Sequence, residues 1–311
     1  MGMSAWKSDN YNFVGKSFEI AYKNMINKLS AIFGEANPNS VDYEIEGAGG
    51  YGELPEYNGN DLNMREIRRA FKTIVVPKEY SESVPVGFKE AKIDKFGECR
   101  KVGTRLGRST AMTVYLHLLR TLSGAYNNTR LGGDGKAWAA EDHPVASKGS
   151  QGRVYIPDPE AGTYSNLIKK ALTVDAITEA QSMANRFVTP DGLPFACQMD
   201  TLLVSPELEA TAKKICGENA KLYPGQTSDV NPVQNEINYL VIGGGRDGFA
   251  PKQWALCDRT IMKEVFMLIY NTKPTVMQSQ LDNPLIDMYT AYTDFGIGWG
   301  DARQIIFSNP A

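Results

Sequence analysis

The string Gly243–Gly248 has the residue types and spacing of a cofactor-binding motif. Its sequence, GGGRDG, satisfies the GxGxxG pattern, in which glycines let the backbone approach a pyrophosphate at the N-terminus of a following helix. Pro251 and the aperiodic segment KQWALCD come next, and they argue against a helix at that point. The string also lies outside any predicted βαβ unit. We therefore interpret it as a turn and predict no cofactor-binding site there.

Side chains that could act as nucleophiles, bases or metal ligands are few and scattered. With only two histidines, a His-rich metal site is excluded. We interpret His117, in an apolar helical stretch, as a core residue, and His143 lies in a loop without a partner nucleophile. The four cysteines form no CxxC pair and are interpreted as buried free thiols: Cys99, Cys197, Cys216 and Cys257. We predict no catalytic residue, no metal site and no enzyme.

Length and composition restrict the class of protein. The chain has 311 residues and a formal net charge of -3, whereas a dedicated nucleic-acid-binding domain is usually clearly basic. No run of about 18 apolar residues occurs, so we expect no transmembrane helix. The N-terminus, MGMSAWKSDNYNF, lacks the apolar core of a secretion signal, so we expect folding in a cytoplasm.

The chain is organised around a predicted helix at Asp94–Leu122, which we call the spine helix. Apolar residues recur at steps of three or four along its first half, and the second half is apolar around most of its circumference. Gly124 stands where a C-terminal stop is expected. Gly97, Gly103 and Gly107 each weaken such a helix by about 1 kcal/mol relative to alanine. We therefore expect the spine helix either to bend or to be held by close neighbours.

Periodicity and turn residues predict the other elements. Phe18–Leu29 is an amphipathic helix in an N-terminal arm, which either docks on its own subunit or lies on a neighbour. Residues 37–60 are turn-rich, Ile67–Val76 is strand-like, and proline and glycine break up the next ten or so residues. Such an excursion needs a partner surface, because it cannot bury both of its faces itself. Further predictions are a helix at Thr173–Phe187 capped by Thr173, a buried strand at Thr201–Val204, a helix beginning at Ser205-Pro206, and strands at Asn238–Ile242, Ile261–Tyr270 and within 283–307, with kinks at glycines.

Two strings carry a resemblance to a known family. LLVSPELEATAKKI (residues 202–215) and DMYTAYTDFGIGWGDARQIIFSNP (residues 287–310) resemble the major capsid proteins of tailed bacteriophages, in particular Mu-like major head subunits. The order of predicted parts agrees over nearly the whole chain. The resemblance implies an α+β tailed-phage major capsid fold with four parts: an N-terminal arm (1–41), an extended loop (42–88), a peripheral domain with the spine helix (89–196, completed by 274–311), and an axial domain (197–273).

The resemblance also implies a function. Copies of such a protein assemble as hexamers and pentamers into an icosahedral head around double-stranded DNA, which they contact weakly and without specificity. The implied partners are the chain itself, a portal and a separate scaffolding protein, with a decoration protein left open and no membrane. The protein would be made in the bacterial host cytoplasm and located in the virion capsid. Two rival hypotheses are a nanocompartment shell of the same fold and a cytoplasmic enzyme that binds a nucleotide at Gly243–Gly248.

For a shell subunit, charged residues become candidates for contacts between copies. Lys101, Arg105 and Arg108 are spaced at steps of four and three and so share one face of the spine helix. That face would meet acidic residues of a neighbouring extended loop, contact DNA phosphates, or be solvated; we favour the first. A second group could pair with a neighbour or be solvated in the same way, and consists of Arg65, Arg68 and Arg69. The acidic candidates in the extended loop are Glu53 and Glu56, together with Glu44 and Glu46.

Overall fold

The computed structural model describes residues 3–26, 29–47, 56–57, 71–89, 97–128, 130–151, 154–217, 231–234, 236–243, 245–280 and 285–310. The chain divides into two compact units. The first comprises Met1–Tyr43, Val75–Leu118 and Leu268–Ile297, and the second comprises Glu44–Ile74, Leu119–Met267 and Gly298–Ala311. The four-part division implied by the resemblance stays a prediction.

Helices and strands alternate irregularly along the described residues. The helices are Met3–Ile26 (α1), Glu98–Ser123 (α2, the spine helix), Val174–Ala184 (α3), Glu209–Cys216 (α4) and Arg259–Val265 (α5). The strands are Gly34–Ala36 (β1), Tyr43–Glu46 (β2), Lys72–Val75 (β3), Lys78–Gly87 (β4), His143–Pro144 (β5), Ser147–Gln151 (β6), Val154–Pro157 (β7), Thr163–Tyr164 (β8), Leu167–Ile168 (β9), Thr201–Val204 (β10), Asn238–Val241 (β11), Trp254–Cys257 (β12), Phe266–Gln280 (β13), Ile286–Trp299 (β14) and Ile305–Ser308 (β15).

A four-stranded sheet in the order β1-β13-β14-β4 belongs mainly to the first unit. Strand β4 pairs antiparallel with β14 in unbroken register, from Lys78 opposite Phe295 to Gly87 opposite Ile286. We expected proline and glycine to break up this stretch, and that expectation is wrong. Pro85 is tolerated because β4 is an edge strand, where a missing backbone N–H costs no ladder hydrogen bond.

Helices α1 and α2 pack closely within the first unit. A Cβ atom added at Gly103 would lie 2.4 Å from the carbonyl oxygen of Val14, and one added at Gly107 would lie 2.4 Å from that of Phe18. Val14 and Phe18 are buried there. The expectation that close neighbours hold the spine helix is therefore confirmed, and so is the docking of the N-terminal helix on its own subunit. Gly97 precedes α2 with φ at +67°, so it is not one of the helix's glycines, contrary to our prediction.

The second unit contains a five-stranded sheet in the order β11-β10-β12-β15-β9. The predicted strand Thr201–Val204 is confirmed as β10, and all four of its residues are buried. Helix α3 confirms the predicted cap, because the Thr173 side chain accepts a hydrogen bond from the backbone N–H of Ala176. Ser205 and Pro206 begin a 3-10 turn, Pro206–Leu208, that leads into α4. Helices α3 and α4 cover one face of the sheet with apolar side chains, among them Ile177, Ala180, Ala212 and Ile215.

One prediction for the C-terminal part is wrong. Ile261–Tyr270 is not one strand, because residues up to Val265 belong to α5 and the strand β13 begins at Phe266. Asp258 caps α5 by accepting hydrogen bonds from the backbone N–H groups of Thr260 and Ile261. Side-chain capping therefore overrides the local pattern there. Strand β14 runs through Gly296 and Gly298, and the kinks expected at these glycines stay a prediction.

Candidate functional site

The described residues of the GGGRDG string form a turn. Gly245–Asp247 is a short 3-10 turn, and the next regular element is the buried strand β12. No helix begins in residues 249–253, directly after the string, so the helix N-terminus that the dinucleotide motif needs does not follow it and the predicted turn is confirmed. The Asp247 carboxylate accepts hydrogen bonds from the Arg120 guanidinium at 2.9 and 3.3 Å. The Asp247 carboxylate therefore forms an ion pair with Arg120 that links the turn to helix α2.

His143 lies in a buried polar cluster of the second unit, with only 1% of its surface exposed. Its ring nitrogens lie 2.6 Å from Asp134 Oδ2 and 3.2 Å from Asn166 Oδ1. The Asn166 amide nitrogen donates to the carbonyl oxygens of Trp138, Ala302 and Ile305 at 2.7–3.2 Å. Both ring nitrogens are thus occupied by structural partners. The cluster ties three segments together and leaves neither nitrogen open to a substrate.

A buried ion pair lies beside this cluster. Arg303 is 2% exposed, and its guanidinium donates to Asp301 Oδ2 at 2.9 Å and to the carbonyl oxygen of Val145 at 2.8 Å. The guanidinium also lies 4.9 Å from the centre of the Tyr164 ring, and burial raises the pKa of Tyr164 well above its usual value. This pair is not among the residues predicted from the sequence. Opposite charges two positions apart inside the apolar string WGDARQIIF were the signal for it.

Strands β2 and β3 form a two-stranded stem in the second unit that brings the ends of residues 48–70 together. The backbone N–H of Gly47 donates to the carbonyl oxygen of Phe71 at 3.0 Å. Lys72 contacts Glu44 at 2.9 Å and Glu46 at 2.7 Å, and the hydrogen bonds to Glu46 and Glu44 raise the pKa of Lys72. We call Tyr43–Glu46 with Lys72–Val75 the loop base.

Two glycines from other segments hold the loop base on both sides. The N–H of Gly133 donates to Thr73 Oγ1 at 2.9 Å, and a Cβ at Gly133 would lie 2.1 Å from the Lys72 carbonyl oxygen. A Cβ at Gly300 would lie 2.7 Å from Ile45 Cγ2 and 2.9 Å from the Glu46 carbonyl oxygen. At Gly133 and Gly300 the backbone lies so close to the loop base that a side chain at either position would displace the loop base. These contacts with the second unit therefore fix the position of the loop base, whose two strands flank residues 48–70.

The structure describes four of the eight predicted contact residues. Lys101, Arg105 and Arg108 are exposed together on α2, whereas Val102 and Leu106 on the opposite side are buried. Glu56 is also exposed. The other candidates, Arg65, Arg68, Arg69 and Glu53, lie outside the described residues. Glu44 and Glu46 contact Lys72 of their own chain, and their side chains are 47% and 68% exposed.

Burial shapes the chemistry of the described thiols. Cys197, Cys216 and Cys257 are free, as predicted, and burial raises the pKa of both Cys197 and Cys216 to about 11. Cys99 has no described side chain. Within the described ranges, no group of three or more His, Cys, Asp or Glu side chains could hold a metal ion. No helix in the same ranges is long and apolar enough to cross a membrane.

Comparisons identify the fold. No protein-family model and no curated protein sequence matches the chain. The virus-like particle from Pyrococcus furiosus matches with 11% sequence identity and a TM-score of 0.54, covering 96% of this chain and 99% of that chain. The mature capsid of bacteriophage PhiM1 has 11% identity and a TM-score of 0.53, covering 91% and 86%. The capsid of Ralstonia phage GP4 has 12% identity and a TM-score of 0.51, covering 90% and 89%. These matches confirm the predicted α+β fold of phage capsid proteins.

Proposed function

We propose that this chain is the major capsid protein of a tailed bacteriophage, whose copies assemble as hexamers and pentamers into an icosahedral head around double-stranded DNA. The supporting observation is the likeness in fold, over at least 90% of the chain, to proteins of two phage capsids and a virus-like particle. A shell protein works through contacts between copies and needs no catalytic residue. The net charge of -3 suits a wall that contains DNA without binding it tightly, because affinity for DNA comes mainly from neutralising phosphates.

The finer proposal is the Mu-like major head type. It rests on the strings at residues 202–215 and 287–310. The first string contains most of β10 and all but the last residue of α4, and the second contains most of β14 and all of β15. Those elements carry much of the buried core of the fold. In this proposal the chain is made in the bacterial host cytoplasm, assembles with a portal and a separate scaffolding protein, and ends in the virion.

Electron microscopy of the expressed protein tests shell formation. We expect closed particles of uniform diameter, formed by the chain alone or with a scaffolding protein. Monomers and small oligomers at every concentration would contradict the proposal. A second candidate is a nanocompartment, which the match to the virus-like particle favours because it covers 99% of that chain. Particles from infected cells decide between the two, since a phage head protects double-stranded DNA from nuclease and a nanocompartment contains protein.

We further propose that residues 48–70 reach a neighbouring copy. A deletion that tests this idea has to end before Lys72, because β3 and β4 follow and both are paired in sheets. Gly47 and Phe71 are hydrogen-bonded, so a two-residue Asn-Gly turn can replace residues 48–70 and close the stem. We expect a variant with this turn to fold with unchanged helix and strand content but to form no shells. Shells of normal size from that variant would refute the role.

The basic face of α2 is the third part of the proposal. We propose that Lys101, Arg105 and Arg108 pair with acids of a neighbouring copy, Glu53 and Glu56 being the candidates. Exposed ion pairs contribute only about 0–1 kcal/mol each, but a shell repeats them at every contact. Changing the three bases to Glu should block assembly, and changing the two acids to Lys should partly restore it. Normal assembly after the first change would refute the role of the basic face in contacts between copies.

Replacing Arg65, Arg68 and Arg69 by Ser should raise the protein concentration needed for assembly, and more so at low salt.

A further inference from the structure

A groove of about 310 Å³ lies in the first unit between helix α2 and the face of β4 and β14 that packs on it. Tyr80 is paired with Thr293 and Glu82 with Ala291, so these side chains share the face on which Tyr289 is buried. Further along this face, apolar side chains such as Val86 and Leu106 fill the space between sheet and helix. At the groove the helix instead carries the small residues Ser109, Thr110 and Thr113. Because these hydroxyl side chains are smaller than the apolar side chains further along the face, they leave the groove open.

Four of the hydroxyl groups that line the groove donate their protons to groups of their own chain. Each threonine donates to a backbone carbonyl oxygen: Thr110 to Leu106 (2.9 Å), Thr113 to Ser109 (3.0 Å) and Thr293 to Thr272 (3.2 Å). Ser109 donates to the Glu82 carboxylate at 2.7 Å. A hydroxyl has one proton to donate and two lone pairs that accept, and the hydroxyl groups of Tyr80 and Ser81 also line the groove. The lining therefore offers a bound molecule several acceptor oxygens and one negative charge.

We propose that this groove binds a primary ammonium group. An ammonium group has three N–H donors, no acceptor and a positive charge, and so matches a lining that has acceptors and a carboxylate. An anion would be repelled by Glu82, and a neutral alcohol would lack the charge-assisted hydrogen bond to it. The groove volume is also at the lower end of the range for small-molecule sites, which begins at about 300 Å³.

Calorimetric titration of the full-length protein with n-butylammonium tests the proposal. We expect saturable binding, with n-butanol, a neutral molecule of the same shape, binding about tenfold more weakly or worse. Glu82→Gln keeps an acceptor for Ser109 but removes the charge, and should weaken binding by about tenfold. The matched control is Glu79→Gln, because Glu79 is on the same strand but on the opposite face of the sheet. Absence of saturable binding, or equal affinity in the Glu82→Gln variant, would overturn the proposal.

Two sources supply this chemistry, a free amine and a lysine side chain of a second copy. If the source is a lysine, added n-butylammonium competes with it, and the concentration needed for shell assembly rises in the wild type but not in Glu82→Gln. If the source is a free amine, the same addition leaves the wild-type threshold where it was or lowers it. The titration does not require shells, so a failure of the groove and a failure of the shell function are distinguishable.

Discussion

Replacing Gly103 by alanine tests whether the close contact between α1 and α2 stabilises the first unit. A Cβ atom at this position would lie 2.4 Å from the Val14 carbonyl oxygen, whereas ordinary contacts begin at 3.4 Å. Helix α1 would have to move by about 1 Å, because a backbone carbonyl cannot turn away as a flexible side chain can. The movement would loosen the packing of Val14 and Phe18, which are 0% and 4% exposed.

The expected magnitude comes from two opposing effects. Alanine favours the helical state over glycine by about 1 kcal/mol, which would stabilise α2 if nothing else changed. Overpacking of a close contact costs about 1–3 kcal/mol. The matched control is Gly15→Ala in α1, where an added Cβ would have no neighbour within 4 Å. We therefore expect Gly15→Ala to raise the free energy of unfolding by about 1 kcal/mol and Gly103→Ala to fall about 1–3 kcal/mol below that control.

Urea unfolding of the unassembled full-length chain measures this difference. The urea concentration at the midpoint should rise for Gly15→Ala, and for Gly103→Ala it should be lower than for Gly15→Ala. The slope of the unfolding free energy against urea should be the same for both variants. Gly107→Ala should behave like Gly103→Ala, because its Cβ would lie 2.4 Å from the Phe18 carbonyl oxygen. If Gly103→Ala stabilised the protein as much as Gly15→Ala does, the helices would not be held by this contact.

Three further predictions concern the two units. Gly300→Ala should lower the free energy of unfolding by about 1–3 kcal/mol, because its Cβ would displace the loop base; an unchanged urea midpoint would show that the contact is loose. His143→Ala leaves the Asp134 carboxylate without its buried partner and should cost about 3 kcal/mol, measured by the same unfolding curves, with no change in the helix and strand content of the folded variant. Burial raises the pKa of Tyr22 from 10.0 to about 12, so the folded state keeps this proton where the unfolded state loses it. The contribution of this pKa difference to the free energy of unfolding is fully present below pH 10 and is lost as the pH rises towards 12. The free energy of unfolding of Tyr22→Phe should therefore fall less steeply over that interval than that of the wild type.

Much of the local structure could be predicted from the sequence. Thr173 identified the start of α3, because a threonine side chain ahead of an apolar period of 3.6 satisfies a free N–H of the first turn. Thr201–Val204 was recognised as a buried strand from its uninterrupted apolar β-formers. Pro251 also predicted that no helix begins directly after GGGRDG, and residues 249–253 contain none.

Other features depended on contacts that no local pattern records. The stretch Ile261–Tyr270 looked strand-like because most of it is apolar, yet Asp258 caps a helix that takes in its first five residues. The stretch around Pro85 looked broken, yet β14 from the far end of the chain pairs with it. The basic face of α2 was evident from spacing alone, but the pairing of Glu44 and Glu46 with Lys72 was not.

The sequence by itself determined the type of most elements and the exposed basic face of α2, because periodicity and capping involve residues within about one helical turn of each other. Only the tertiary structure decided which faces meet. Gly103 shows the reason: the same residue weakens the helix locally and permits α1 to approach it. Sequence shows the first effect, whereas the second depends on a carbonyl group at Val14, far away along the chain. The loop base and the hydroxyl-lined groove arise in the same way, because segments distant in sequence have to come together to form them.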